Sequence, residues 1–154
     1  MLKNLFGFVL FAAAICACTS TKKVKTEKMT QGIAGIVVAI SGNQMPMKGE
    51  EPPKPKGLLA EVIVHEKTNI SQAIKDAKTG LFTTIITPKV TSIVTDSLGN
   101  FSIALPVGSY SLFIKMPNGY FANLFNEKND IQVVTVDSCK ISSTTIRVNQ
   151  NAVY

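Results

Sequence analysis

A chain of 154 residues with 45% hydrophobic and 17% charged residues supports one packed domain and is too apolar for a disordered chain. Its formal net charge is +6, but Arg147 is the single arginine and tryptophan is absent. Bidentate arginine contacts carry much base and phosphate recognition, so this basic balance argues against a nucleic-acid partner.

Met1-Leu2-Lys3-Asn4 is a short basic lead, and Leu5 to Ala17 is an apolar run interrupted only by Gly7. That run is too short to span a bilayer comfortably but has the length of a signal-peptide core. Composition then switches to Thr19-Ser20-Thr21-Lys22-Lys23. The junction Ile15-Cys16-Ala17-Cys18 resembles a lipobox, with a branched residue at −3, a small residue at −1 and then cysteine. The resemblance implies that residues 1–17 are a lipoprotein signal peptide and that the Cys18 thiol takes a diacylglyceryl group before cleavage frees its amine. Cleavage after Ala14 or Ala17 by an ordinary signal peptidase, or retention of the segment as an anchor, are the competing readings. Several acyl chains hold a protein stably at about 0.8 kcal/mol per buried methylene, whereas one holds it reversibly. Ser20, not Asp, occupies the second mature position. By the same resemblance this implies an outer-membrane anchor facing the periplasm, with surface exposure as the alternative.

Residues 18–31 read as the lipidated cysteine and a flexible Lys/Thr-rich tether carrying Lys22, Lys23, Lys25 and Lys28. Those lysines suit an anionic lipid surface. With Lys3 removed, 15 of the 16 basic residues remain against 10 acids. Of the three cysteines, Cys16 leaves with the signal and Cys18 is capped. Cys139 then remains as a partly buried free thiol in a turn, which leaves no disulfide within the domain.

Residues 32–154 form the expected domain. Ile33 to Ile40 is a β-branched run ended by Ser41-Gly42-Asn43. A loop with Pro46, Pro52, Pro53 and Pro55 comes next and reads as extended. Leu58 to Lys67 alternates, placing Ala60, Val62 and Val64 on one face and Glu61, Ile63 and His65 on the other. Ser71 to Lys78 is the one helix candidate, capped by Ser71 and stopped by Gly80, and at two turns it is marginal unless packed. Leu81–Thr87 and Lys89–Asp96 read as strands separated by Pro88. Asp96-Ser97-Leu98-Gly99 predicts a hairpin turn joining Thr91–Thr95 to Phe101–Leu105, because aspartate bonds the backbone two residues on and glycine supplies a positive φ. Tyr110, Leu112 and Ile114 alternate along the next strand, which ends at Asn118-Gly119. Ile131–Val136 and Ile141–Val148 read as a final pair around an Asp137–Lys140 turn. Seven or eight short strands without a βαβ rhythm predict an all-β antiparallel sandwich with at most one short helix.

Asp96-x-x-Gly99-x-Phe101-x-Ile103-x-Leu105-Pro106-x-Gly108-x-Tyr110-x-Leu112, together with the opening Gly32-x-x-Gly35-x-Val37, resembles the carboxypeptidase regulatory-like (transthyretin-like) domain family. Ser41 to Pro46 and Phe121 to Phe125 extend the similarity to small bacterial lipoproteins built on one such domain. The resemblance implies a sandwich fold and supplies no catalytic residues.

The candidate chemistry is thin. His65 is the only histidine and neighbours Glu66, and adjacent strand residues point to opposite faces, so the two make no dyad. The sandwich relative that hydrolyses hydroxyisourate uses several histidines and a Tyr-Arg-Gly-Ser ending, and neither is present here. Asp96 and Asn100 could offer oxygens to calcium, but that ion wants six or more, and a plain Asx turn is the simpler reading. One thiol and one imidazole do not make a zinc tetrad. No cofactor or metal and no enzymatic activity are therefore expected. Gly119–Phe125 is aromatic and apolar. Exposed, Tyr120, Phe121, Leu124 and Phe125 would be a recognition patch. Buried, they would be a plug over one end of the sandwich, which is the favoured reading. The expected function is an anchored, non-catalytic interaction or structural module of the bacterial envelope, with an envelope protein as its partner. The alternative is a carrier of a small ligand, sugar or peptide in a cleft near residues 120–125.

Overall fold

The computed structural model describes residues 29–45, 49 and 53–153. The signal segment, Cys18, the tether up to Lys28, and Pro46 and Pro52 of the Pro-rich loop lie outside the described residues.

The strands are β1 (Gly32–Asn43), β2 (Lys56–Gly57), β3 (Glu61–Glu66), β4 (Ala73–Lys75), β5 (Phe82–Ile85), β6 (Lys89–Val94), β7 (Asn100–Ile103), β8 (Gly108–Met116), β9 (Gly119–Phe121), β10 (Val133–Val136) and β11 (Ile141–Val153). They form two sheets, as the alternating patterns predict. The smaller has order β11-β1-β2, with β7 also paired to β1, and the larger has order β4-β5-β9-β8-β3-β6, with β10 also paired to β8. Every pairing is antiparallel except β1 with β11, which run parallel from Gly32↔Ile141 to Asn43↔Val153.

The period of two sets the inner faces. Val62 lies opposite Ile114 and Val64 opposite Leu112, on the face turned toward Ile33 and Val37 of β1 and Ile146 and Val148 of β11. Burying each such side chain contributes about 1.5–3 kcal/mol. Phe101 of β7 joins this core by lying over Gly35, where a Cβ would meet its ring. Tyr110 brings its ring into the same core and donates its hydroxyl to the Pro106 carbonyl at 3.1 Å, pinning the turn that leads into β8.

Ile63 and His65 do not face solvent as one-sided alternation implies. Both are buried, because β3 is a central strand and the outer face of the large sheet carries a second cluster of Phe82, Phe113, Ala122 and Ile131. His65 and Phe82 each meet the Phe113 ring edge-on, at 5.5 and 5.8 Å.

The Ser71–Lys78 helix does not form. Asn69, not Ser71, is the cap of a single 3-10 turn over Ile70–Gln72. Its side chain accepts from Ser71 N, while Gln72 Oε1 accepts from Asn69 N. Ala73–Lys75 then pairs with β5, which puts Ala73 and Ile85 against the second cluster. An isolated two-turn helix is too short to hold itself, so the strand that gains packing wins.

Two expected hairpins are not hairpins. The Asp96 turn has the predicted chemistry: Asp96 Oδ1 accepts from Leu98 N at 2.9 Å and Asn100 N at 2.7 Å, and Gly99 sits at φ 84°. Yet β6 pairs with β3 and β7 with β1, so this turn carries the chain from one sheet to the other. Likewise β10 pairs with β8 and β11 with β1, and the Asp137–Lys140 turn is a second crossing. β1 is the common cause. It is long enough to take β7 along one edge and β11 along the other.

Candidate functional site

The segment Tyr120–Phe125 divides in the middle. Phe121 pairs with Ile114 and is 6% exposed in the inner core, and Ala122 is 2% exposed in the outer cluster. Tyr120 is half-buried, with Lys115 Nζ 4.4 Å from its ring centroid. Leu124 and Phe125 come back out, at 55% and 41% exposure. The plug reading therefore describes the first half and the patch reading the second.

A polar loop holds that exposed pair in place. Asn123 Nδ2 donates to the Arg147 carbonyl at 3.1 Å, and Leu124 O accepts from Gln132 N at 2.8 Å. Phe125 makes an antiparallel bridge with Ile131. Between them Asn126 Oδ1 accepts from Lys128 N at 3.0 Å and Asp130 N at 2.9 Å. The Asp130 carboxylate accepts from the Asn126 and Asn69 amides, both at 3.1 Å, and lies 3.5 Å from Lys67 Nζ. Those bonds, Asn126 first and Asn69 second, hold the Asp130 carboxyl below the usual range. Asp130 is thus a fastener of the loop. Lys75 Nζ stands 5.9 Å from the Phe125 ring centroid and 5.5 Å from that of Phe82.

Two adjoining clefts share Phe125, Asn126 and Val133. One, of about 580 Å³, runs past Lys67, Glu127, Lys128 and Asp130, and the other, of about 360 Å³, past Leu124, Gln132 and Thr144. Gln132 is 4% exposed, its Oε1 has no partner, and its backbone is left-handed at φ 44°. A buried amide oxygen without a donor costs about 1–3 kcal/mol, and a left-handed non-glycine residue adds strain. None of Lys67, Asn126, Lys128, Asp130 or Gln132 stands out in the sequence. Asn126-Glu-Lys-Asn-Asp130 has turn composition, which is the only local signal for the loop.

The other candidates serve structure. His65 Nδ1 is 2.8 Å from the Thr87 carbonyl, an acceptor only, so this nitrogen carries the proton. Burial pushes the His65 pKa down, the Thr87 bond opposes that, and Lys89 adds to the lowering. Around it Thr87 and Thr68 share a hydroxyl contact at 2.6 Å, Thr68 Oγ1 donates to Glu66 O at 2.8 Å, and Ser111 Oγ accepts from Thr68 N at 2.9 Å. Glu66 itself is exposed, so no dyad is brought together. The Asp96 carboxylate is taken by Leu98 and by Asn100, whose Nδ2 donates to Oδ2 at 3.0 Å. Among the described residues no three His, Cys, Asp or Glu side chains converge. Cys139 is exposed rather than partly buried, on a turn where its backbone is left-handed (φ 56°). Cys18, the candidate lipidation site, lies outside the described residues. At the other end of the predicted tether, Gln31 is fixed to the sandwich. Its Nε2 donates to Leu105 O at 2.9 Å and its Oε1 accepts from Cys139 N at 3.0 Å.

Compared with family models, with curated proteins and with solved structures, the chain gave no match.

Proposed function

We propose that this protein is a lipid-anchored, non-catalytic interaction module of the bacterial envelope, held at the membrane by Cys18 and presenting the Leu124–Phe125 corner to a protein partner. The observation that carries the binding face is the exposure of Leu124 and Phe125 on a loop fastened by Asn126 and Asp130. A loop fixed by Asp130 and Asn126 shows two large apolar side chains at little entropic cost, which is what a recognition surface needs. The resemblance to carboxypeptidase regulatory-like domains fits a module without chemistry of its own. The lipobox-like Ile15-Cys16-Ala17-Cys18 supports the anchor.

Fractionation of cells expressing the parent and Cys18→Ala chains tests the anchor, since the variant should move to the soluble fraction. Retention of Cys18→Ala on membranes as tight as the parent removes it. For the binding face, detergent-extracted parent chain should retain an envelope protein that Phe125→Ala loses. The two clefts favour a second reading, a carrier of a small ligand. In that case no protein is retained, and a metabolite raises the melting temperature instead.

A further inference from the structure

β1 is apolar on both faces. Ile33 and Val37 enter the inner core, and alternation turns Ala34, Ile36 and Val38 to the outside of the small sheet. A continuous apolar run is the pattern of a strand covered on both sides, yet among the described residues only the inner side has a sheet packed on it. Cross-strand register fills in the rest of the outer face. Ile141, Ser143, Thr145 and Arg147 of β11 lie level with Gly32, Ala34, Ile36 and Val38, and Asn100 and Ser102 of β7 lie level with Ile36 and Ala34. The four β11 residues are exposed, Ala34 and Ile36 are half-buried, and Val38 is buried beside Arg147.

The chain arrives on this same face. With Phe101 in the core, its neighbour Ser102 points outward, and Ser102 Oγ meets Met29 Sδ at 3.4 Å. Gln31 is pinned to Leu105 and Cys139 at the same end of the sandwich. The stretch leading back to Cys18 therefore departs beside Ser102. A coil of the length of residues 19–28 spans roughly 15–20 Å, which is half or less of the roughly 40 Å run of the 13-residue β11. A lipid on Cys18 thus keeps this face, rather than the large sheet, next to the bilayer. Charge points the same way. Arg147 is the one ionised side chain in those rows. The Asp96 carboxylate at their border is taken up by Asn100, and Asp137 by Lys140 at 3.6 Å. Residues 19–28 add Lys22, Lys23, Lys25 and Lys28 against the single acid Glu27. On the side of the large sheet, where Phe125 shares Lys75 with Phe82, Glu127 and Asp130 offset Lys67 and Lys128.

We infer that the outer face of the small sheet is the surface on which the anchored domain lies against anionic lipid headgroups. Arg147 and the lysines of residues 19–28 meet phosphate, while Ile36 and Ile141 supply apolar contact at headgroup level. The Leu124–Phe125 corner is then turned away from the bilayer, where an envelope protein can reach it. This inference rests on the proposed Cys18 anchor and gives the anchored module an orientation.

The chain has no tryptophan, so a single introduced one reports its own position. Thr145→Trp marks the inferred face, and Thr84→Trp, exposed on β5 of the large sheet, marks the other side. Each full chain is extracted in detergent, reconstituted into phosphatidylglycerol vesicles that carry a nitroxide headgroup lipid, and floated. Circular dichroism and melting temperature establish that both variants fold. Nitroxide quenching should be at least about twofold stronger for Thr145→Trp than for Thr84→Trp. Adding Arg147→Glu, or exchanging phosphatidylglycerol for phosphatidylcholine, should narrow that ratio. Equal quenching, or stronger quenching of Thr84→Trp, overturns the orientation and leaves the anchor standing. A ratio that neither change moves overturns the headgroup contact, since the tether alone then sets it. Emission of Thr145→Trp that shifts with protein concentration in detergent alone places a second copy on this face and overturns the lipid. A chain that fails to float with the vesicles removes the anchor and the orientation together.

Discussion

The turns Asp96–Asn100 and Asp137–Lys140 look alike in the sequence and behave differently in the fold. Each starts with aspartate and sits between two strand-like runs, and each moves the chain from the large sheet to the small one. At the first, the turn locks into the sandwich, with Gly99 O accepting from Val37 N at 2.8 Å. At the second, a side chain makes the tie across the corner, the Ser142 hydroxyl donating to the Thr135 carbonyl. Turn chemistry fixes only the reversal of the chain. The path beyond the turn depends on where the outgoing strand finds an edge, and on whether its partner is drawn away as well.

The two corners should therefore differ in sensitivity. Phe101→Ala empties the core just beyond the first corner and should cost about 3–5 kcal/mol in chemical denaturation. A loss under about 1 kcal/mol would mean that this corner is no more tightly built than the other. Gly99→Ala is next. A non-glycine residue at φ 84° is strained, and its methyl would collide with the Val37 carbonyl, so about 1–3 kcal/mol should be lost.

Acid should then act in two stages. The folded pKa of His65 lies below its ordinary value of 6.5, so the unfolded chain takes up that proton first. The stability His65 contributes is complete above 6.5 and declines as pH falls below it. Asp76, Asp96 and Asp130 are lowered from 3.8 by hydrogen bonds, so their contributions hold above 3.8 and vanish further down. Urea midpoints measured against pH should show both steps, and His65→Gln should erase the upper one. A midpoint that rises on acidification from about pH 7 to about pH 5 contradicts the assignment.

The smallest effect belongs to the second corner. Ser142→Ala should cost about 0.5–1.5 kcal/mol globally, yet speed amide exchange selectively at Val134 and Val136, which lie opposite Tyr110 and Gly108 of β8. Unchanged exchange there would show that this corner does not depend on the hydroxyl.

Side-chain alternation made the strands legible. Phe101, Ile103 and Leu105, or Tyr110, Leu112 and Ile114, commit one face to an interior wherever the chain goes. The Asp96 turn was legible for the same reason, because aspartate and glycine act on their own backbone. The binding corner was only half legible. Leu124 and Phe125 announce an apolar segment, but their exposure depends on Asp130, braced by Asn126, reaching Asn69 and Lys67, far apart in the chain. The failed helix at Ser71–Lys78 has the same origin, since β5 offers Ala73 a better burial than two helical turns do.

By itself, the sequence determined the all-β class, the strand positions and the local turns, because each arises from forces acting within a few residues. Only the tertiary structure decided which edges meet. It turned two apparent hairpins into crossings, laid β11 parallel to β1, and sent β10 and β11 into different sheets. Pairing is a competition among distant edges for burial and hydrogen bonds, and a local pattern cannot name the winner.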